Sequence, residues 1–468
     1  NRGSISTGYD IDNSLKLEPD NSEFLSITNT SEGSKRTATY SFWLKRTELD
    51  ASSYMQVAGL FNTGETVRFM FYQDHIMLEN GWGGTRKRLT TNAVYRDTSA
   101  FYHFVVAIDT TQSTASNRVK LYVNGVQETS FSTEEYPDQN FDLAIGRSGA
   151  NFPWRYGAYN ATYYKTAGYL AEAHYIDGTQ YAASDFGEFD PVSGIWKPIE
   201  FTGNYGTQGS YLNFSDASNL GANPKGSDID AVLNNITSAD QATDTPTNNF
   251  CTLNLQVANY VNTGGATEGG TKMPYSGVNH YGAWYGTQGF TKGKWYWEAY
   301  IPSRSSSYGL TNEMGVHTME NIILTSPYYA SSFKTNYYLN FHYGYTYAWV
   351  NGTKGSKDSE DGVPALGSSS VGRWIGLALN ADDGEATWYN NGSQMGNANL
   401  DIYDLYDKMQ DGIFAVPYFQ VYHNDLNVNF GGYSSIAISS AETDENGYGS
   451  FEYAPPSGYY ALCSKNLA

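Results

Sequence analysis

Two stretches of this chain follow one plan, and that repetition limits what the chain can build. His103-Phe-Val-Val-Ala-Ile-Asp109 reads as a buried strand, followed by a polar turn, then Val119-Lys-Leu-Tyr-Val and the pair Asn124-Gly125. Far downstream, Trp374-Ile-Gly-Leu-Ala-Leu-Asn380 leads through Ala381-Asp-Asp-Gly384 into Ala386-Thr-Trp-Tyr-Asn and then Asn391-Gly392. Asn-Gly is the pair a tight hairpin requires, because both central residues take positive φ. Two related β-sandwiches in tandem are therefore expected, and such sandwiches more often bind surfaces than transform small molecules.

Length and composition agree. A chain of 468 residues exceeds one core, so two or three domains are expected. Tyr (41), Gly (48) and a 16% aromatic share favour strands and turns over helices. The net charge of −20, from 28 basic and 48 acidic side chains, disfavours nucleic acid and anionic membranes as partners. It also suits solubility in salt. No apolar run approaches the ~20 residues of a membrane span. No signal-peptide pattern is present, and the start at Asn1 without Met fits a cleavage point or an incomplete chain.

Only Cys251 and Cys463 occur, which excludes a disulfide scaffold or a zinc module. They bracket the second half. If its first and last strands pair, the two sulfurs come near bridging range; two free thiols is the plainer reading.

Residues 1–180 are expected to hold the first sandwich, with strands at Tyr40-Ser-Phe-Trp-Leu44, Val67-Arg-Phe-Met-Phe71, 101–108, 119–123, Phe141-Asp-Leu-Ala-Ile-Gly146 and 168–176. Residues 181–249 read as a largely irregular connector. Its Ser215–Asn249 part, rich in Asp, Ser, Thr, Asn and Gly, should lie extended across other structure. The second sandwich is expected over 250–468, with strands at 294–301, 337–341 and 413–418 and the turn-flanked hairpin at 374–390.

The first half resembles the laminin-G-like, or concanavalin A-like, lectin superfamily, through Ser41-Phe-Trp-Leu-Lys45, Phe101-Tyr-His-Phe-Val-Val-Ala107, Leu121-Tyr-Val-Asn-Gly125, Ala144-Ile-Gly146 and Gly168-Tyr-Leu-Ala-Glu172. The second half resembles the SPRY domain, a related sandwich used for protein recognition. Here the pieces are Gly293-Lys-Trp-Tyr-Trp-Glu298, Trp374 to Leu379, Trp388-Tyr-Asn-Asn-Gly392, Asn429-Phe-Gly431 and Phe451-Glu-Tyr-Ala-Pro-Pro-Ser-Gly-Tyr459. The resemblances imply an all-β fold of two tandem antiparallel jelly-roll sandwiches. The pairing is similar to that in virion-surface proteins of marine tailed bacteriophages, described as tail fibre, head fibre or structural protein.

No catalytic constellation emerges. Glu442-Thr-Asp-Glu-Asn446 and Glu188-Phe-Asp190 miss the Glu-x-Asp-x-Glu strand of lectin-fold glycosidases and read as solvated turns. The seven histidines form neither a His-Glu-x-x-His motif nor a partner to a Gly-x-Ser-x-Gly elbow; His103 and His174 read as core or sheet-surface residues. Lectin-fold loops often hold calcium. Asp228 with Asp230, Asp382 with Asp383, and the series Asp401, Asp404, Asp407 and Asp411 are candidate ligands, but none has a ligand-loop spacing, so solvated acid is preferred and no cofactor is expected.

Two aromatic regions remain. The segment 152–164 carries Trp154, Tyr156, Tyr159, Tyr163 and Tyr164 in an apparent loop. Such rings stack sugars, anchor another subunit or cover the loop's own base, and these readings stay open. In 341–349 aromatics fall on every odd position, so one extended strand would put Tyr343, Tyr345 and Tyr347 on one face, as core or as an exposed ladder. The expectation is a non-enzymatic virion-surface protein (fibre, spike or capsid decoration, as a trimer in fibres), with sister subunits, other virion proteins or a host glycan as partners. The alternatives are a secreted glycan-processing enzyme and a bacterial surface lectin.

Overall fold

The computed structural model describes residues 8–49, 54–62, 64–82, 86–255, 259–260, 265–275, 282–303, 312–319, 335–341, 345–350, 353–357, 366, 371–421 and 424–468. It is all-β, and the chain divides into two compact units, Ser4–Asn248 and Asn249–Ala468.

The first unit has two large antiparallel sheets and a two-stranded one, Gly187–Phe189 with Trp196–Pro198. One runs Val126–Glu128, Val119–Val123, Tyr102–Asp109, Thr37–Arg46, Gly168–Asp177, Ser14–Leu17, Gln241–Ala242, with Ser210–Leu212 also on Gly168–Asp177. The other runs Phe131–Glu134, Lys87–Thr91, His75–Trp82, Glu65–Tyr72, Tyr54–Phe61, Trp154–Tyr156, Phe24–Ile27, Val232–Asn234. Strand alternation fills the space between them. Val67, Phe69 and Phe71 from one sheet meet Tyr40, Phe42, Leu44 and Phe104 from the other. The segment 141–146 departs from expectation. Leu143, Ala144 and Ile145 are buried, yet their backbone pairs in no strand, so burial there comes without a ladder.

Residues 181–248 are part of this unit. They add an edge strand to each sheet, and Phe186, Phe201, Tyr205 and Tyr211 cover the outer face of the first sheet over Val105 and Ile176. Buried ion pairs hold the segment down. Lys45 Nζ lies 2.8 Å from Asp244 Oδ2, and Lys16 Nζ lies 2.8 Å from Asp240 Oδ1. The polar stretch expected to lie extended across other structure therefore also supplies counter-ions to lysines on the sheet.

The second unit repeats the sandwich. One sheet runs Asn259–Tyr260, Gly282–Tyr285, Ala415–Val421, Glu313–Thr318, Thr335–Asn340, Tyr345–Val350, Thr353–Lys357. The other runs Lys272–Met273, Leu426–Asn429, Lys294–Ile301, Arg373–Asn380, Glu385–Asn390, Ser393–Asp401, with Tyr460–Ala461 joining Lys294–Ile301 in parallel. Trp284, Trp297 and Trp388 are fully buried in its core.

The repeated plan is visible in both units. Each has a three-strand meander at a sheet edge, turning at Asn124-Gly125 (φ +47, +80) or Asn391-Gly392 (φ +47, +74). In each, the turn asparagine grips the first strand of the meander. His103 N donates to Asn124 Oδ1 (2.7 Å) while Asn124 N donates to His103 O (2.9 Å). Trp374 N donates to Asn391 Oδ1 (2.9 Å) and Asn391 N to Trp374 O (2.8 Å).

The odd-numbered aromatics of 341–349 do not form one strand. Phe341 lies past the end of Thr335–Asn340, which pairs antiparallel with Tyr345–Val350, Asn340 opposite Tyr345. Phe341 is buried in the core. Tyr343 lies outside the described residues, and for Tyr345 and Tyr347 the described part is the strand backbone.

The first and last segments of the second unit do pair, Phe250 opposite Cys463. Alternation then sends Cys251 into the core with Leu462, and Cys463 to the other face with Phe250. Both cysteines are buried and no disulfide joins them, because neighbouring strand positions face opposite ways.

Candidate functional site

The aromatic segment after Pro153 splits at Gly157. Trp154–Tyr156 is a three-residue strand wedged between Phe24–Ile27 and Tyr54–Phe61. Alternation points Trp154 and Tyr156 inward, where Trp154 packs on Tyr40 (ring centroids 5.2 Å apart) and Tyr175 (5.3 Å), and Tyr156 is fully buried. These two are core side chains and present no ring to a ligand. Arg155, between them, faces out.

Beyond Gly157 the chain forms a loop clamped to the strand Tyr54–Phe61. Gly157 N donates to Val57 O (2.9 Å), Gln56 N to Tyr164 O (2.9 Å) and Thr166 Oγ1 to Gln56 O (2.7 Å). Asn160 Oδ1 accepts from Thr162 N (2.8 Å) and Tyr163 N (2.9 Å), an Asx turn that sets the tip. Tyr164 takes φ +57, which brings its ring against the strands.

The result is a patch of five tyrosines. Tyr54 and Tyr72 are cross-strand partners with rings stacked at 4.5 Å and 20°. Tyr164 meets the Tyr54 ring edge-on at 5.2 Å, while Tyr159 and Tyr163 flank Tyr164 at 5.9 and 6.2 Å. Tyr163 is 58% exposed and the other four are half-buried. Rings that face water while leaning on each other form a stiff, amphipathic surface, suited to the faces of sugar rings or to a protein partner. Tyr54 and Tyr72 were not among the residues singled out in sequence. Counting alternation outward from Val67, Phe69 and Phe71 places Tyr72 on the solvent side, so the signal was present.

The outer side of the other sheet carries a polar network. Glu172 sits at φ +49 in a bulge of Gly168–Asp177 and accepts from Tyr9 OH (2.7 Å) and Tyr211 OH (2.7 Å), with His174 Nε2 at 3.5 Å. Burial pushes its carboxyl up, but His174 and the two hydroxyls outweigh that and hold it below the usual range. His174 Nδ1 lies 2.9 Å from Tyr205 OH, and Tyr205 lines a polar cleft of about 390 Å³ with Glu200, Thr202, Asn204 and Lys225.

Ser41 Oγ lies 2.8 Å from His103 Nε2, the spacing of a nucleophile and its base. Trp196 Nε1 lies 3.0 Å from His103 Nδ1 and only donates, so the ring proton sits on Nε2 and points at the serine. That tautomer cannot take the serine proton. Both residues are buried, and burial lowers the His103 pKa to about 3.

The acids weighed as calcium ligands serve turns instead. Asp230 accepts from Asn219 Nδ2 and Asn223 N, Asp382 from Gly293 N, Asp383 from Asn380 Nδ2 and Asp401 from Tyr403 N. Asp404 and Asp407 lie in the short helix Asp404–Gln410, about two turns long, and Asp411 ends it. No cluster of three or more acidic, His or Cys side chains suited to a metal occurs among the described residues. Asp444 and Asp190, read as solvated, are buried. Asp444 accepts from Asn446 N, Tyr448 N and Ala461 N, tying down the closing loop, and Asp190 accepts from Val192 N and Ser193 N.

Residues 19–162 match the family model described as the concanavalin A-like lectin/glucanases superfamily. No curated protein sequence matches the chain. Among solved structures, a Bacteroides ovatus protein provisionally described as carbohydrate-binding aligns at 12% identity and TM-score 0.33, over 48% of this chain and 59% of its own. The SPRY domain of human HERC1 aligns at 15% identity and TM-score 0.27, over 38% of this chain and 96% of its own. A heptameric pentraxin from Limulus polyphemus aligns at 12% and 0.30, over 49% and 94%. Within the first unit, residues 19–162 are thus similar to the concanavalin A-like lectin/glucanases superfamily.

Proposed function

We propose that the chain is a non-enzymatic binding protein of a virion surface, a fibre, spike or capsid decoration, whose first unit holds glycan on the tyrosine patch. The observation that carries the glycan reading is placement. The lectin/glucanases match encloses Tyr54, Tyr72 and Tyr159 and stops one residue short of Tyr163, at the tip of the patch. The virion reading draws on the tandem of a laminin-G-like and a SPRY-like half, which resembles phage structural proteins. Binding rather than cleavage is favoured by the His103 tautomer and by Glu172, whose oxygens are taken up by two tyrosines and a histidine.

A panel of immobilised cell-surface glycans probed with the intact chain tests the first part. Retention on some members, lost in a Tyr163→Ala/Tyr164→Ala double variant of unchanged melting temperature, is the expected result. Immunogold labelling of particles from the source culture tests the second; labelled cells with unlabelled particles would instead favour a bacterial surface lectin.

A further inference from the structure

Arg155 stands apart from the other described arginines. Every other described arginine is held by a carboxylate or a backbone carbonyl. Arg46 and Arg96 sit on Asp74, Arg147 on Glu65, and Arg118 on three carbonyls. Arg155 makes no hydrogen bond or ion pair among the described residues, although it is half-buried and the chain carries 48 acidic side chains against 28 basic ones. Burial lowers its proton affinity, and the Tyr159 hydroxyl, a member of the patch, is near enough to oppose that.

The sheet explains its isolation. Arg155 stands opposite Gly59, Gly59 opposite Arg68, Arg68 opposite Glu79, and Glu79 opposite Arg88, one row on one face. Glu79 is the nearest carboxylate along that row, three strand spacings or roughly 14 Å away. That exceeds the ~8 Å screening length at physiological salt. Glu79 is also fully buried and already engaged by Arg68, Arg86 and Arg88. Gly59 adds no side chain to the space between, since a Cβ there would strike the Val67 carbonyl.

We propose that Arg155 is an anion subsite at the margin of the tyrosine patch, so that the glycan taken there bears a carboxylate or a sulfate ester. A planar guanidinium pairs both groups bidentately, and a half-dehydrated one gains more from an anion than a solvated lysine does. The net charge of −20 repels polyanions in general, so a cation without a carboxylate partner is needed to hold one at the patch. The inference rests on reading the patch as a glycan platform.

The test measures binding of alginate (carboxylate), dextran sulfate (sulfate ester) and uncharged dextran to the intact chain and to Arg155→Gln, Arg155→Lys and Tyr163→Ala variants. At least one charged polymer should bind tenfold or more tighter than dextran. Arg155→Gln should remove that preference, Arg155→Lys should keep part of it, and neither should lower the melting temperature. Which polymer wins separates uronate from sulfate. Equal binding of charged and uncharged polymers, or charged binding unchanged in Arg155→Gln, overturns the inference. Dextran binding lost in Tyr163→Ala without any charge preference would leave the glycan reading standing alone, and failure of all three polymers would remove both.

Discussion

Trp154 and Tyr163 lie nine residues apart and carry similar chemistry, yet the fold gives them opposite work. Trp154→Ala should cost about 3–5 kcal/mol, as for large aromatic truncations in packed cores, and should leave any binding by the surviving folded protein intact. Tyr163→Ala should change stability by less than about 0.5 kcal/mol, because the ring is mostly solvated, and should weaken glycan retention instead. Urea unfolding alongside glycan binding checks both. Glu298 is the residue to follow with pH. It is fully buried and accepts from Glu452 N (2.9 Å), Tyr453 N (3.0 Å) and Tyr296 OH (3.0 Å), pinning the closing segment. Burial nonetheless pushes its pKa from 4.5 up to about 7. The native state then holds the proton more tightly than the unfolded chain does. Its contribution is complete below about pH 4.5 and drains away as the pH rises through 7. Unfolding at a series of pH values should show stability falling over that window in the intact chain, and the fall should be shallower in Glu298→Gln, whose overall stability is lower.

Among elements, the two Asn-Gly turns are the most constrained. At each, the glycine has positive φ and lies under an aromatic ring, Gly125 under Trp196 and Gly392 under Tyr453, so that an added Cβ would run into it. Gly125→Ala and Gly392→Ala should each destabilise by about 1–3 kcal/mol, from the left-handed backbone and the displaced ring together. Thermal melts of both variants are the check, and a neutral result at either turn contradicts the shared-plan reading. These turns were legible in sequence because Asn-Gly between apolar runs has few other uses. The strand Lys294–Ile301 was equally plain, being long and aromatic. Trp154–Tyr156 was not legible, since three residues between Pro153 and Gly157 are too few to show alternation. The stretch 341–349 misled for the opposite reason, because its aromatics recur on every odd position although the strand begins only at Tyr345. Leu143 to Ile145 looked like a strand through burial alone. In the candidate site, Tyr159, Tyr163 and Tyr164 were readable as a cluster in sequence, whereas Tyr54 and Tyr72 reach it only through sheet pairing.

For the molecule as a whole, the acid-rich stretch before Phe250 shows how a chain of net charge −20 uses some of that charge internally. Asp244 and Lys45 are both buried, so Asp244→Ala leaves an uncompensated ammonium and should cost about 3–5 kcal/mol. Replacing both partners, Asp244→Leu with Lys45→Met, should recover most of that loss. Chemical denaturation of the three proteins decides it, and a mild effect of the single change would mean that residues 181–248 contribute little to holding the first unit. Paired strands of the first unit, Tyr54–Phe61 and Glu65–Tyr72, carry the tyrosine patch as a stiff surface, and the central claim is that it holds glycan without cutting it. The most direct measurement incubates the intact chain and its Tyr163→Ala/Tyr164→Ala variant with the polysaccharide that binds best, following retention and new reducing ends together. The account predicts retention by the intact chain, loss of retention in the variant and no new ends from either. Reducing ends that appear with the intact chain and vanish in Glu172→Gln, or retention that survives loss of both tyrosines, would contradict it.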